Sequence, residues 1–355
     1  MIRWRSYFDV ARAMTPDMRR IVYVRPPGHG WEPITLLARL AGRVLEAGVD
    51  EVLESRYGRR EHYALYWPRM RRGDEILVIA AHPGHLQEIT RNASWWLRGH
   101  HTVAAWVIDS FWSLRIPGIA LDAGHFDHFF VTDGELVDHY RERTGTPTTF
   151  LPVGTDALRR GSHSADRPVD LQRIGREPEE WADDVVVAAG ARSLGITHGG
   201  SPAFHEDEAA SQRAVHAAMS QAKFTLAFSN RVNPMGYTHP DREYITSRWF
   251  DALANGASVA GAVPRCHAAQ ELLWPDATLE LGTTSRDDGL RVVKAAVDAW
   301  SPAAARLNHL RSLERLDWRW RLDELASTLG WRTASLEHEL TVLRERISDV
   351  TAGVG

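Results

Sequence analysis

The chain has almost no cysteine, almost no lysine and no long apolar run. Cys266 is the lone cysteine among 355 residues, which excludes an intramolecular disulfide framework and a zinc ribbon and makes a reducing, cytoplasmic location the expectation. Lys223 and Lys294 are the only lysines, so arginine supplies the rest of the 42 basic residues, a bias that reads as genome composition. With 46 acidic residues the net charge is -4. No global positive field is therefore available to hold a polyanion, and nucleic acid is not an expected partner. Apolar stretches such as Ile76 to Ala81 fall far below the roughly 18 residues that a membrane span needs. No apolar h-region follows the basic start at Arg3 and Arg5, so a secretory signal is not expected, while peripheral membrane contact stays open. Internal repeats and low-complexity tracts are absent as well.

What is present is the composition of a soluble globular protein, 44% hydrophobic and 25% charged, long enough for about two domains. From Ile21 onward, short apolar runs alternate with longer amphipathic segments, which predicts β-α units around parallel sheets. Strands are expected at Ile21 to Arg25, Glu75 to Ala81, Thr102 to Ile108, Phe126 to Thr132 and Thr148 to Leu151, with a helix from Pro33 to Ala47. Gly154 to Pro168 is polar and reads as an exposed linker. A second set follows, with strands at Asp170 to Ile174, Lys223 to Ser229 and Ala257 to Ala262. Helices are expected from Glu179, over Asp207 to Gln221, over Ile245 to Ala254, and from Trp300 to Val350 with a break at Gly330. The expected organisation is residues 1–153, a linker at 154–168, a second domain at 169–310 and terminal helices at 311–355.

Three segments carry candidate chemistry. Val24-Arg25-Pro26-Pro27-Gly28-His29-Gly30 places glycines at a strand's carboxyl end, where backbone can approach a ligand and the next helix offers N–H groups to an anion. It is not a dinucleotide fingerprint, because Pro33 stands where a third glycine belongs. A plain βα turn would look the same. Ile174-Gly175-Arg176 puts an arginine fork at a strand end, suited to a diphosphate, with Arg173 the weaker alternative. Most informative is Arg242 to Val259. Asp251 stands eight positions after Glu243, so one carboxylate falls in the loop leading into a helix and the other about two turns inside. The first can face a ligand, and the second can accept two hydrogen bonds from a vicinal diol. The competing reading makes Asp251 part of a solvated helix face.

Glu243-x7-Asp251 followed by Ala252-Leu253-Ala254-Asn255-Gly256 resembles the E-x7-E signature of retaining GT-B glycosyltransferases, especially glycosyltransferase family 4. Phe150-Leu151-Pro152-Val153-Gly154-Thr155-Asp156 resembles that family's interdomain segment, and Ile174-Gly175-Arg176 the opening of its nucleotide-binding domain. The resemblance implies an α/β GT-B fold: two Rossmann-like domains facing across a cleft, the terminal helices, with Asp317-Trp318-Arg319-Trp320, crossing back to the first. It also implies a hexosyltransferase-type enzyme without a metal or other cofactor. A nucleoside diphosphate sugar would bind the C-terminal domain, and a small-molecule, glycan or lipid-linked acceptor the N-terminal one. By carry-over, Asp251 would contact the ribose, Glu243 the donor sugar, the N–H groups around Ile245 and Thr246 the diphosphate, and Arg176 would add charge there. Gly28 and Gly30 match the first glycine-bearing loop.

The sequence also departs from the family. Asp251 is one methylene shorter than glutamate, and Tyr244-Ile245-Thr246 replaces Gly-Phe-Gly. The family's phosphate-binding lysine is missing, with Arg242 or Arg248 the candidate replacements. No histidine follows Trp106-Val107-Ile108, so Asp109, His29 and His82 compete for the contact that the family's histidine makes with the donor sugar. His82-Pro83-Gly84-His85 and His125-Phe126-Asp127-His128 invite a metal reading, but neither has helical i, i+4 spacing. Other GT-B chemistry, an epimerase or an inverting transferase, and a non-catalytic nucleotide-sugar or carbohydrate-binding protein stand as alternatives.

Overall fold

The computed structural model describes residues 19–27, 30–53, 75–87, 102–121 and 125–353. It contains two wholly parallel sheets with helices, the α/β architecture expected from the alternating pattern. The first sheet comprises β1 (Arg19–Arg25), β2 (Gly48–Leu53), β3 (Glu75–Ala80), β4 (Thr102–Val107), β5 (His128–Val131) and β6 (Thr148–Phe150). Its order is β2-β1-β3-β4-β5-β6, every pair parallel. Ile21 lies opposite Leu77 on one side and Val49 on the other. A parallel strand covered on both faces needs apolar residues at every position rather than at alternate ones. Ile76-Leu77-Val78-Ile79-Ala80 meets that need and is buried throughout. Helix α1 (Glu32–Val44) buries Ile34, Leu37, Leu40, Ala41 and Val44 at three- and four-residue spacing, and α2 (Val137–Thr144) ends at left-handed Gly145.

The second sheet comprises β7 (Val169–Arg173), β8 (His198–Gly199), β9 (Ala222–Phe228), β10 (Ser258–Ala262) and β11 (Thr278–Glu280), in the order β11-β10-β9-β7-β8. These pairs too are all parallel. Its longer helices are α3 (Asp184–Ser193), α4 (Glu208–Ser220), α5 (Ser247–Ala254), α6 (Arg286–Asp298), α7 (Pro302–Arg315), α8 (Trp318–Leu329) and α9 (Ala334–Ala352). Asp183, Asp207 and Ser285 start α3, α4 and α6 by accepting backbone N–H groups of the first turn. Leu171, Trp181, Val187, Phe224, Leu226, Leu290 and Val293 form the core beneath them. A smaller cluster joins Ala157, Ala254, Leu313, Leu343 and Val350. Lys223, at the amino end of β9, pairs with Asp170 at 2.6 Å, and Lys294 on α6 pairs with Asp298.

Contacts divide the chain into two compact units. One is built on the first sheet, and the other comprises, among the described residues, 151–353 together with 30–37 and 132–135. In both sheets the chain adds its second strand on one side of the first and its third on the other. The loops leaving the first and third strands of such a sheet diverge to opposite faces, opening a crevice at the carboxyl ends. These crevices lie between β1 and β3 and between β7 and β9.

The expectation that fails is the exposed linker. Within residues 154–168, Thr155, Ala157 and Arg167 are buried, and Ala157–Arg160 forms a helical turn. The cause is an ion network that composition alone hides. Arg319, 1% exposed, bonds Asp317 at 3.0 Å, Asp156 at 2.8 Å and Glu339 at 2.6 Å. Asp317 also accepts the Leu158 N–H at 2.8 Å, and Thr155 exchanges backbone bonds with Leu316 and Trp318. Strands β2, β8 and β11 were not expected, because an edge strand of mixed polarity and strands of two and three residues give little periodicity. The terminal helical run breaks at Gly330, left-handed with φ 73°, as expected, and also at Leu316-Asp317.

Candidate functional site

The crevice of the second unit is lined from two directions. β7 ends at Arg173, and Gly175, with φ +75°, turns the chain into Arg176 and Glu177. From α5, the Arg248 Nη1 donates to Glu177 Oε1 at 2.6 Å and to the Arg176 carbonyl at 3.3 Å. The Arg176 guanidinium lies 4.8 Å above the ring of exposed Tyr237, with its Nε buried and without an acceptor. Burial and the neighbouring Arg248 charge lower the pKa of Arg176. Burial raises the Glu177 carboxyl to about 8, against the pull of Arg248, Arg173 and Arg176. Arg173 is already engaged: it donates to the Ala182 carbonyl at 2.6 Å and the Gly175 carbonyl at 3.3 Å, and pairs with Asp184 at 3.0 Å. Its geometry braces the turn. Arg176, whose Nε lacks an acceptor, and Arg248 are the two other guanidinium groups gathered at this turn.

The acidic pair divides between two settings. Glu243, in the loop before α5, accepts the Ser229 hydroxyl at 2.7 Å and the Arg265 N–H at 2.6 Å, which ties it to the carboxyl ends of β9 and β10. Arg242 precedes it on the same loop, with its N–H bonded to His239 Nδ1 at 3.0 Å. Ile245 sets its amide against the buried Cys266 thiol, whose pKa burial lifts to about 11. Thr246 is the extended N-cap residue and makes no side-chain cap, so the first-turn N–H groups of α5 have no capping oxygen from it. The helix starts at Ser247 rather than just after Glu243, and Asp251 therefore sits one turn inside, not two.

Asp251 is 4% exposed, which removes the solvated-face reading. Its Oδ1 accepts the Thr155 hydroxyl at 2.6 Å, its Oδ2 accepts Gln212 at 3.3 Å, and His216 stands 4.0 Å away. Asn255 donates to the Asp251 carbonyl at 2.8 Å and contacts His216 at 2.9 Å. The carboxylate that was expected to grip a diol thus already holds protein donors, and it shares no partner with Glu243.

In the first unit, His82 and Asp109 follow β3 and β4 at the same edge of the sheet. His82 caps the turn Pro83–His85, its Nδ1 accepting the Gly84 N–H at 3.1 Å, which leaves Nε2 to carry the proton of a neutral ring. The rings of His82 and His85 lie 3.8 Å apart, and burial, then Arg115, lower His85 to about 4. Asp109 is half-buried, and desolvation raises its carboxyl to about 7 although Arg115 pulls the other way. Arg115 stacks on Trp112 at 3.8 Å. For an acid whose pKa is raised on folding, the folded state is favoured at low pH, and the advantage is lost as pH climbs to the folded value. Asp109→Asn is accordingly expected to stabilise the protein by more than about 1 kcal/mol at pH 8 and to do little at pH 4, as read from urea midpoints. Equal effects at both pH values would contradict the desolvated carboxyl.

Gly28 and His29 lie outside the described residues. Gly30 is described, with φ +100° and open space where a side chain would be. Among the described residues no group of three or more His, Cys, Asp or Glu side chains could hold a metal ion, and no helix is long and apolar enough to cross a membrane.

No family model matches the sequence, and no curated protein matches it. Among solved structures, the chain is similar to AviGT4, a glycosyltransferase involved in avilamycin A biosynthesis, at 15% identity, 87% coverage of this chain, 96% of the other and a TM-score of 0.47. It is also similar to Phytolacca americana UGT2 complexed with UDP-2-fluoro-glucose and pterostilbene, at 10% identity, 95% and 100% coverage and a TM-score of 0.38. A 5-methylthioribose transporter solute-binding protein from Thermotoga lettingae matches at 15% identity, 93% and 98% coverage and a TM-score of 0.21. With each score below 0.5, the fold stands on the two sheet orders themselves.

Sequence reasoning missed Glu177, Arg115, Thr155, Gln212 and His216. Glu177 carries a usable signal: an acid held between Arg176 and Pro178 just after a strand. The others become visible only when distant segments meet.

Proposed function

We propose that the chain is a glycosyltransferase that moves a sugar from a nucleoside diphosphate sugar to an acceptor hydroxyl, with retention at the anomeric carbon and without a metal. The observation that carries this reading is the β7–β9 crevice, where Arg176, Arg248 and the uncapped first turn of α5 converge at the topological switch point. Diphosphates bind such places because guanidinium forks and helix N–H groups meet an anion with little reorganisation. The same groups would stabilise the charge that grows on the departing diphosphate as the anomeric carbon becomes oxocarbenium-like. Arg242 and Glu243, on the adjoining loop, would meet the donor phosphates and sugar, and Ile245 and Thr246 would contribute backbone. Asp251 would reach the ribose by exchanging its Thr155 or Gln212 bond. In the first unit, Asp109 and His82 would contact the sugar or the acceptor. Retention would follow from attack on the leaving-group face, with the departing phosphate oxygen taking the acceptor's proton.

A thermal-shift panel of UDP, GDP, ADP and dTDP tests the donor site. One nucleotide at 100 times its Kd is expected to stabilise the wild type by about 2.7 kcal/mol. Asp251→Ala should lose much of that shift, and Arg176→Ala and Arg248→Ala should each weaken binding tenfold or more, about 1.5–3 kcal/mol. No shift with any of the four would end the donor assignment, and an inverted anomeric signal in the product NMR spectrum would end retention.

A further inference from the structure

Glu177 places a buried carboxylate just past the carboxyl end of β7. Its side chain is fully buried. One oxygen accepts from Arg248 at 2.6 Å, and the other is buried with no hydrogen-bond donor. An ionised carboxylate can accept about four hydrogen bonds, so this one is poorly satisfied, and desolvation falls on its charged form. Arg248 is in a different position. Its side chain is 23% exposed, and its bonds to Glu177 and the Arg176 carbonyl both come from Nη1. An anion arriving from solvent meets Arg176 and Arg248 from the open side and competes with Glu177 for the same cations.

We propose that Glu177 is a proton-linked positioning residue of this site: its carboxyl accepts from Arg248 while the site is empty, and the fraction that is ionised, acting as an internal counter-ion, takes a proton from solvent onto its unpaired oxygen when a phosphorylated anion binds Arg176 and Arg248. Glu177 is thus a positioning residue, and the inference rests on reading the crevice as the anion-binding part of the donor site. The charged and titratable groups around it are Arg173, paired with Asp184, which also meets His198; Arg176, with Tyr244 acting on it from the loop; and Arg248 from α5. With the site empty, the three arginines offset burial only in part and the carboxyl titrates at about 8, so about half of it is ionised at pH 8. A bound anion cancels part of their potential, which moves that value upward. Binding is therefore accompanied by proton uptake, and affinity is highest below pH 8 and falls above it, where Glu177 must first be reprotonated.

Calorimetric titration of the full chain with inorganic pyrophosphate, in two buffers of different ionisation enthalpy, reads the uptake directly. At pH 8 the wild type should take up roughly half a proton more per anion than Glu177→Gln, and from pH 8 to 9 its affinity should fall roughly fivefold further. Pyrophosphate's own ionisation cancels in the comparison. Glutamine keeps the shape and an acceptor for Arg248, and Arg248→Ala gives a second arm. That variant should bind more weakly, and it should show no extra uptake because Glu177 is already protonated in it. Pyrophosphate bound with the same uptake in the wild type and Glu177→Gln overturns the counter-ion role while leaving the anion site standing. No pyrophosphate binding by the wild type overturns both.

Discussion

Replacing Arg319 with alanine is expected to destabilise the protein by about 3–5 kcal/mol, because removal of one partner from a buried ion set leaves uncompensated charge behind. Arg319 is 1% exposed and Asp317 fully buried, so neither Asp317 nor half-buried Asp156 could easily recover water in the variant. Burial already raises the Asp317 pKa, with the Arg319 charge opposing it. The loss should be read from urea midpoints and compared with Arg332→Ala. Arg332 bonds Asp323 and Glu337 at similar distances, but its side chain is 52% exposed. Solvent screens such a pair, and its removal should cost less than about 1 kcal/mol. If the two variants behave alike, the buried network does not anchor residues 155–160 to α8 and α9 in the way described.

The second large effect is expected at Gly256, where alanine should cost about 3 kcal/mol or more. Part of this is the backbone: φ is +81°, and a side chain in the left-handed region costs roughly 1–2 kcal/mol. The larger part is space. A Cβ there would lie 2.3 Å from Arg167 Nη2 and 2.8 Å from the Ser162 carbonyl. Arg167 is buried and bonds the Asn255 and Ala222 carbonyls at 2.6 Å each, so displacing it strips two chain segments of their donor. Gly282→Ala is the matched control, with φ +66° but open space around the new methyl. It should cost only the backbone share, about 1 kcal/mol. Equal losses at both positions would remove the packing argument.

Gly256 also shows how much of the candidate site was legible. The Ala-Leu-Ala-Asn-Gly run pointed to a helix end and a following strand, and both are present. Its glycine has a structural explanation in Arg167, 89 positions back along the chain, a relation that no local spacing reveals. The strand Glu75–Ala80 was readable because a doubly covered strand writes itself as a continuous apolar run, here Ile76 to Ala80, and Ala222–Phe228 was readable from the apolar residues around Lys223 and Thr225. The strand that ends at Arg173 is not such a run: it alternates, Val169-Asp170-Leu171-Gln172-Arg173, and Arg176 stands three residues beyond its end. Which of the two is already engaged within the protein was not readable, because the bonds of Arg173 to Ala182 and Asp184 depend on how the next helix packs. Asp251 gave the opposite difficulty: its helical position was nearly right, but its burial depends on Thr155 and Gln212, whose approach is tertiary.

The placement of the two lysines has a practical side. Lys223 stands at the amino end of β9, the opposite end of the strand from Ser229 and the crevice, and Lys294 lies on the outer helix α6. Apart from the α-amino group, amine coupling to a biosensor chip or a fluorophore can attach only at these two side chains. The dye or the surface would then sit away from the arginine-lined edge, and binding could be followed on tethered protein with that edge facing the solution.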